Sequence, residues 1–154
     1  MEMQTRDLQI LTALYRFGIL SSKQIENLFF TNTHFTVRNR RLRILEKENL
    51  ILRIDSMPSK MLAWSLSKKG GAAINCYETQ RFTNRNTTLH DVTLSGVRIS
   101  LEDIGLGKDF TNELELKRMD GLQNKGKSNS PGQIADGLFI EQMKPDYGAI
   151  RLHR

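Results

Sequence analysis

The feature that most constrains this chain is a basic segment, residues 32–50, whose apolar and polar side chains recur at helical spacing. At about 100° per residue, one side of a helix collects the apolar positions. They are Val37, Leu42, Ile44 and Leu45. The opposite side collects a single polar stripe, which comprises Thr36, Asn39, Arg40, Arg43 and Lys47. The segment therefore predicts a helix that packs on a core with one side and presents basic side chains on the other.

The same angles divide the arginines of this helix into two groups. Arg38 and Arg41 point toward the apolar side, so we expect them to form ion pairs inside the fold, with Asp7 or Glu26 as partners. They are poorer candidates for contact with a ligand than the arginines of the stripe. Thr33 is positioned to cap the helix, because its hydroxyl can accept a hydrogen bond from an early backbone N–H.

The stripe suits a nucleic acid, because Arg, Asn and Thr side chains can reach base edges or phosphates from a helix in the major groove. The alternative is a solvated amphipathic face. The charge distribution favours an anionic partner. Residues 1–81 hold 13 Lys and Arg against 7 Asp and Glu, whereas residues 82–154 hold 10 of each, so the whole net charge of +6 lies in the half that contains the basic helix.

Two further helices are expected before the basic one. The first is predicted over Thr5–Phe17, capped by Thr5 and ended by Gly18. The second is a short helix at about Ser22–Phe29, since Ser21 and Gln24 have the spacing of a capping box. Three helices with short connections, the last one basic, are typical of a helix-turn-helix.

A β-hairpin is predicted directly after the basic helix. Residues 50–54 and 61–66 are strand-like, the second containing Trp64, and the polar segment 55–60 between them is turn-like. Arg53 and Lys60 could approach phosphates from this hairpin. A fourth short helix, capped by Ser67, is expected next.

The order of short motifs carries a family resemblance. It runs Arg-Asp-x-x-Ile-Leu, Leu-Ser-Ser-Lys-Gln-Ile, Arg-Leu-x-x-Leu and Leu-Ser-x-x-Gly. Through it, residues 5–75 resemble a winged helix-turn-helix domain. With the downstream pair Leu89-His90 and a β-rich tail, the chain resembles the replication-relaxation family, encoded largely by plasmids and other mobile elements of bacteria. The resemblance implies DNA binding linked to plasmid replication, transfer or their control, and it does not by itself imply a reaction.

The predicted fold class is α+β, an N-terminal winged helix-turn-helix followed by a small helix-plus-strands C-terminal region. The expected boundaries are 1–80 for the DNA-binding domain, 81–88 for a polar linker, and 89–154 for the α+β region. That region would hold a helix over 89–104, although its β-branched residues leave room for a strand, and strands over 110–116, 133–140 and 148–152. The helix offers an apolar face, so the region could mediate dimerisation or be a degenerate nuclease-like core.

One stretch of the C-terminal region matches the phosphate-loop pattern G-x-x-x-x-G-K-[ST]. In residues 121–128, Lys127 would bind the outer phosphates and Ser128 a magnesium ion. The context argues against nucleotide binding, because charged residues precede the loop and Pro131 follows where a helix should continue. A flexible polar loop is the better interpretation.

Several acids suggest an enzyme as the alternative class. Glu102 on a helix, Glu113 or Glu115 on one strand and Asp136 on another resemble the carboxylates of a restriction-endonuclease-like core, which hold a metal that activates water. The last strand, however, offers Arg151 and His153 where that core needs an acid and a lysine. Ordinary solvent-facing acids are the simpler interpretation, and we expect no enzyme activity.

No cofactor, metal or small-molecule substrate is expected. His34, His90 and His153 have no metal-ligand spacing with one another or with Cys76. Since Cys76 is the only cysteine, no intramolecular disulfide can form, and together with the absence of a leader-like start this favours a cytoplasmic protein. No apolar run approaches the roughly 18 residues of a membrane span, so no membrane partner is expected.

The sequence thus predicts a sequence-specific double-stranded DNA-binding protein, a homodimer that regulates transcription or the replication or transfer of a plasmid. The metal-dependent nuclease is the main alternative, followed by a nucleotide-binding protein and a winged helix that binds protein. The predicted DNA-binding residues are Thr36, Asn39, Arg40, Arg43, Lys47, Arg53 and Lys60.

Overall fold

The computed structural model describes residues 2–55, 61–76 and 85–105, together with the backbone of residues 111–112 and 137–138. The side chains of residues 85–87 are outside this description. The chain divides into two compact units, Met1–Ile99 and Ser100–Arg154, which are described separately.

The described elements are helices and short antiparallel strands, which confirms the predicted α+β class. In chain order they are α1 Thr5–Phe17, β1 Ile19–Ser21, α2 Ser22–Phe29, α3 Phe35–Lys47, β2 Ile51–Ile54, β3 Ala63–Leu66, α4 Lys68–Ala73, α5 Arg85–Asp103, β4 Thr111–Asn112 and β5 Gly137–Leu138.

The first helix has the predicted bounds but a different cap. Gln4 is the N-cap, with extended backbone, and its N–H donates to the Asp7 carboxylate at 2.7 Å. The prediction of Thr5 as cap is therefore wrong, because Thr5 is already helical. Gly18 ends the helix with a φ of 79° that suits glycine, and its N–H donates to the Leu14 carbonyl oxygen at 3.0 Å.

For the next two helices, the predicted cap of α2 is confirmed and the predicted cap of α3 is wrong. Ser21 and Gln24 form the predicted capping box, with the Gln24 N–H 3.2 Å from Ser21 Oγ and the Ser21 N–H 2.7 Å from Gln24 Oε1. For α3 the cap is His34, not Thr33. The Thr33 hydroxyl instead donates to the Phe30 carbonyl oxygen at 2.9 Å, which engages it in the preceding turn.

The predicted hairpin is confirmed, and a strand that the sequence did not reveal completes its sheet. β2 and β3 pair antiparallel, from Ile51 opposite Leu66 to Ile54 opposite Ala63. β3 begins at Ala63 rather than at residue 61. The unpredicted strand β1 pairs with the other edge of β3, so the strand order is β1-β3-β2.

One hydrophobic core joins α1, α2, α3 and the sheet. Its buried members include Ile10, Leu11, Leu14, Ile25, Phe30, Leu42, Leu45, Leu50, Ile51, Trp64 and Leu66. Of the apolar positions predicted for α3, Leu42 and Leu45 are buried and Ile44 is half-buried, but Val37 is 47% exposed. The inward assignment of Val37 is therefore wrong. The helix buries its apolar side only along its C-terminal half, since Phe35 is exposed as well.

The short helix α4 has the predicted cap, because Ser67 Oγ accepts from the Gly70 N–H at 2.9 Å. Gly70 packs against the backbone of Leu50, which connects α3 to β2. A β-carbon at Gly70 would lie 2.0 Å from the Leu50 carbonyl oxygen, so only glycine permits this close approach.

The long helix α5 begins earlier than expected. It packs on the preceding elements, α1 to α4, which we together call the winged unit. It starts at Arg85, so residues 85–88 of the predicted linker are helical, whereas residues 81–84 lie outside the described part. Val92 is buried against Ile19 and Ala63. Since residues up to Ile99 cluster with the N-terminal unit, the compact division falls later than the predicted boundary at 80–89.

Three polar contacts hold α5 in this position. Gln24 Nε2 donates to the Val92 carbonyl oxygen at 2.9 Å, and Ser95 Oγ donates to the Phe17 carbonyl oxygen at 3.0 Å. The guanidinium of Arg98 donates to the Arg16 carbonyl oxygen at 2.7 Å. Two of these contacts satisfy carbonyls in the last turn of α1, which have no partner within that helix.

In the C-terminal unit, Thr111 of β4 pairs antiparallel with Leu138 of β5. Both fall within predicted strands, whereas the rest of those strands, the loop 117–131 and the strand 148–152 lie outside the described residues. Among the helices that the structure describes, none is long and apolar enough to cross a membrane.

Candidate nucleic-acid interface

The outer face of α3 brings together five of the seven predicted site residues. Thr36, Arg40, Arg43 and Lys47 are exposed and Asn39 is half-buried. With Ile44 they line one open groove along the helix. Within the part of the chain that the structure describes, no salt bridge engages Arg40, Arg43 or Lys47. The groove therefore carries three cations that no described acid compensates in a salt bridge.

On the inner side, Arg41 is paired with Asp7 as predicted. Asp7 is fully buried, and both of its oxygens accept from Arg41, with Nε 2.6 Å from Oδ1. Burial would raise the pKa of Asp7, but the hydrogen bonds from Arg41 and the Gln4 N–H, with the charges of Arg41 and Arg6, together outweigh it and lower that pKa. The hydrogen bond to Asp7 also raises the pKa of Arg41. This pair ties α3 to the first turn of α1.

Arg38 makes the second predicted inward pair. Its Nη1 donates to the Glu26 carboxylate and lies 3.5 Å from the Ser22 carbonyl oxygen, and its side chain is only 13% exposed. This pair ties α3 to α2. Between them, Arg38 and Arg41 fix how α3 sits on its two neighbouring helices.

Arg38 also forms hydrogen bonds with Asn39, the neighbouring residue of the stripe. Its Nε and Nη2 donate to Asn39 Oδ1 at 3.0 and 2.8 Å. At the start of the helix, Thr36 Oγ1 lies 2.8 Å from His34 Nδ1, so the Thr36 hydroxyl is engaged with the capping residue. The two uncharged members of the stripe are thus held by their neighbours.

The hairpin residue Arg53 is less free than expected. It is 45% exposed, its Nε lies 3.0 Å from Asp55 Oδ1, and the same nitrogen is 3.7 Å from Glu46 Oε1 near the end of α3. To contact a phosphate, Arg53 must either break its contacts with Asp55 and Glu46 or keep them while it binds the phosphate. Lys60, the other predicted hairpin contact, lies outside the described residues.

Sequence reasoning missed Arg6, which stands beside this face. Its guanidinium lies 4.8 Å from the centre of the Phe30 ring. A second groove is lined by Gln4, Arg6, Phe30, Val37, Arg40, Arg41 and Ile44. One sequence signal could have found Arg6. It directly precedes Asp7, and Asp7 was expected to pair with an arginine of α3, so Arg6 was expected near that helix.

The residues proposed for other chemistry fall mostly outside the described part of the chain. Of the nuclease acids only Glu102, on α5, is described, whereas Glu113, Glu115 and Asp136 are not, and neither is the loop 121–128. Among the described residues, no group of three or more His, Cys, Asp or Glu side chains could hold a metal ion.

Comparisons with known proteins give one family and one structural likeness. The model of the family described as replication-relaxation matches residues 11–147. A solved structure, "The crystal structure of transcriptional regulator PA4135", is similar with 18% sequence identity, a TM-score of 0.41, and coverage of 84% of this chain and 80% of that one. No curated protein matches.

Proposed function

Because the chain belongs to the replication-relaxation family, we propose that it is a sequence-specific double-stranded DNA-binding protein that regulates transcription or the replication or transfer of a mobile element. The observation that carries this proposal is the division of the arginines on α3. Arg38 and Arg41 are paired inside the fold, whereas Arg40, Arg43 and Lys47 share a groove and form no salt bridge with any acid that the structure describes.

Electrostatics within the helix favours an anionic partner for this groove. Arg40 and Arg43 are three residues apart, and Arg43 and Lys47 are four apart, so the like charges are neighbours on the helix surface. Such pairs destabilise a helix by a few tenths of a kcal/mol each. Phosphates would relieve this repulsion, and the release of counterions from DNA would add to the binding free energy.

The proposed roles follow from position and chemistry. Thr36 and Asn39 lie toward the N-terminal half of α3 and are suited to base edges, while Arg40 and Arg43 can reach bases or phosphates. Lys47, at the last turn, is proposed to bind the backbone, and so are Arg53 and Lys60 from the hairpin.

The direct test is binding of fluorescent duplex DNA by anisotropy. Replacing both Arg40 and Arg43 by Ala should weaken binding at least tenfold without unfolding, since about two phosphate or base contacts are lost. The control is Lys68→Ala, which removes an exposed positive charge from α4. Equal affinities for the wild type and the Arg40/Arg43 variant would refute the assignment, and the absence of any DNA binding would favour a protein-binding winged helix.

A homodimer is part of the proposal, and α5 is its suggested interface. Val97 lies on the side of α5 opposite Val92 and is 48% exposed, so this face has apolar surface that the winged unit does not cover. Sedimentation at micromolar concentration should give twice the chain mass. A strictly monomeric mass would remove the dimer and leave the DNA proposal intact.

We also propose that the protein acts by binding alone, in the cytoplasm, where it would meet DNA. The nuclease alternative predicts metal-dependent nicking of plasmid DNA that disappears in Asp136→Ala. Nicking with that behaviour would replace the regulatory proposal by an enzymatic one.

A further inference from the structure

Asn39 stands in the middle of the outer face of α3, yet its side-chain oxygen is already bonded within the protein. Asn39 Oδ1 accepts from both Nε and Nη2 of Arg38, at 3.0 and 2.8 Å. A guanidinium has only donors, so it must meet the oxygen of the amide and not its nitrogen. The orientation of the Asn39 amide is thereby set, with its oxygen turned toward Arg38 and its NH₂ group available.

Arg38 is held firmly enough to keep this orientation. Its Nη1 is bonded to the Glu26 carboxylate and approaches the Ser22 carbonyl oxygen, and the side chain is 13% exposed. Moving Arg38 away would leave Glu26, itself only 24% exposed, without its arginine. Lys23 Nζ also lies 3.4 Å from this Glu26 oxygen, but its side chain is 68% exposed, so Arg38 is the more buried partner of Glu26. Breaking a partly buried ion pair costs more than a single neutral hydrogen bond. The chain Glu26–Arg38–Asn39 therefore pre-sets the amide before any ligand arrives.

This orientation changes what the amide can recognise on DNA. A free asparagine reads adenine with two hydrogen bonds, in which its oxygen accepts from N6 and its nitrogen donates to N7. With Oδ1 occupied, Asn39 presents N–H donors alone. Guanine is the base that offers two adjacent acceptors, O6 and N7, in the major groove.

We propose that Asn39 is a donor-only reader that selects guanine over adenine, and that Arg38 is the positioning residue that imposes this choice. The inference rests on the proposed DNA binding of α3. Arg38 lies behind the proposed interface. Its ion pair with Glu26 alone would make it a structural residue, whereas its hydrogen bonds to Asn39 give it a role in sequence specificity.

The experiment begins with selection of sites from random duplex DNA by the wild-type protein and by Asn39→Ala. The position whose base preference disappears in Asn39→Ala is the one that Asn39 reads, and guanine is expected there. Glu26→Gln combined with Arg38→Met should shift that preference toward adenine by about tenfold, because the amide oxygen is released. The matched control is Glu26→Gln alone, which keeps the Arg38 donors on Asn39 and should keep the guanine.

A second measurement uses the wild-type protein and the position located with Asn39→Ala, so it holds even where the double variant does not fold. In the selected site, inosine in place of the guanine retains O6 and N7 and should leave wild-type affinity unchanged. Substitution by 7-deazaguanine removes one acceptor and should weaken binding severalfold. Equal binding of guanine and 7-deazaguanine sites would contradict a donor-only contact.

The remaining outcomes separate this inference from the proposed function. Adenine at the Asn39-dependent position, or guanine retained in the folded double variant, overturns the inference while DNA binding stands. Loss of affinity in Asn39→Ala that is equal for all sequences assigns the residue to a phosphate and also overturns it. A wild-type protein that binds no duplex refutes the proposed function itself.

Discussion

Arg41 and Asp7, 34 residues apart in the chain, form a two-pronged ion pair in which the carboxylate is fully buried. The pair fastens the middle of α3 to the first turn of α1, and the Gln4 N–H that caps α1 donates to the same carboxylate. One acid thus serves as a helix-capping group and as the anchor of the proposed recognition helix.

Removing this acid should destabilise the protein strongly. Asp7→Ala leaves Arg41 without its partner and the first turn of α1 without an acceptor. We expect the free energy of unfolding, measured with urea, to fall by about 3–5 kcal/mol. Asp7→Ala combined with Arg41→Met should lose less, because no unpaired charge remains. A loss below about 1 kcal/mol in the single variant would contradict this account.

The same pair predicts a pH dependence of stability. The pKa of Asp7 is lowered in the folded protein, whereas the unfolded chain has the ordinary value of about 3.9. The contribution is therefore complete above about pH 4 and is lost as pH falls through the folded-state pKa, since the unfolded chain takes up its proton first. Asp7→Asn should lack this part of the acid destabilisation in urea titrations. Identical pH profiles for both proteins would rule it out.

The acids around Arg53 should limit DNA affinity. Glu46→Gln combined with Asp55→Asn removes the two carboxylates that Arg53 now approaches and removes negative charge near the proposed interface. Binding of DNA should tighten severalfold in anisotropy titrations. Adding Arg53→Ala to that variant should abolish most of the gain; an undiminished gain would mean that Arg53 does not contact the phosphates.

Salt should weaken DNA binding steeply. With roughly five phosphates contacted, a plot of log affinity against log salt should have a slope of about −4 to −5. Each phosphate-binding cation that is replaced by Ala should reduce the slope by about 0.9, so Lys47→Ala is expected to give a shallower line. Lys68→Ala, on α4, serves as the control and should leave the slope unchanged.

Gly70→Ala should be destabilising for a steric reason alone. A β-carbon there would lie 2.0 Å from the Leu50 carbonyl oxygen, so the backbone must shift. We expect a loss of about 1–3 kcal/mol in thermal or urea unfolding, as for other overpacked sites. Lys68→Ala, exposed on the same helix, should change stability by less than about 0.5 kcal/mol. Equal stability of both variants would contradict the close approach.

Helical angles predicted the inward pairs of Arg38 and Arg41 because a fixed rotation per residue determines which side of a helix a residue occupies. They placed Val37 in the core, which is wrong. The angle gives the side of α3 on which a residue lies, but not whether a neighbouring helix covers that side near the N-terminus of α3. They also missed the hydrogen bonds from Arg38 to Asn39. Helical angles describe where a side chain starts, whereas the long arginine side chain bends to contact an adjacent residue. The strand β1 escaped prediction because three residues are too few to show a period.

The amide of Gln24 offers its oxygen to the Ser21 N–H at the start of α2 and its NH₂ group to the Val92 carbonyl of α5. One side chain thus caps α2 and contacts α5, a helix that is far away in sequence. A fragment that stops before Arg85 would leave this amide half-satisfied and would uncover Ile19 and Ala63, which Val92 covers. We therefore expect the smallest fragment that keeps these contacts to extend through Ile99, beyond the end of the hairpin and α4.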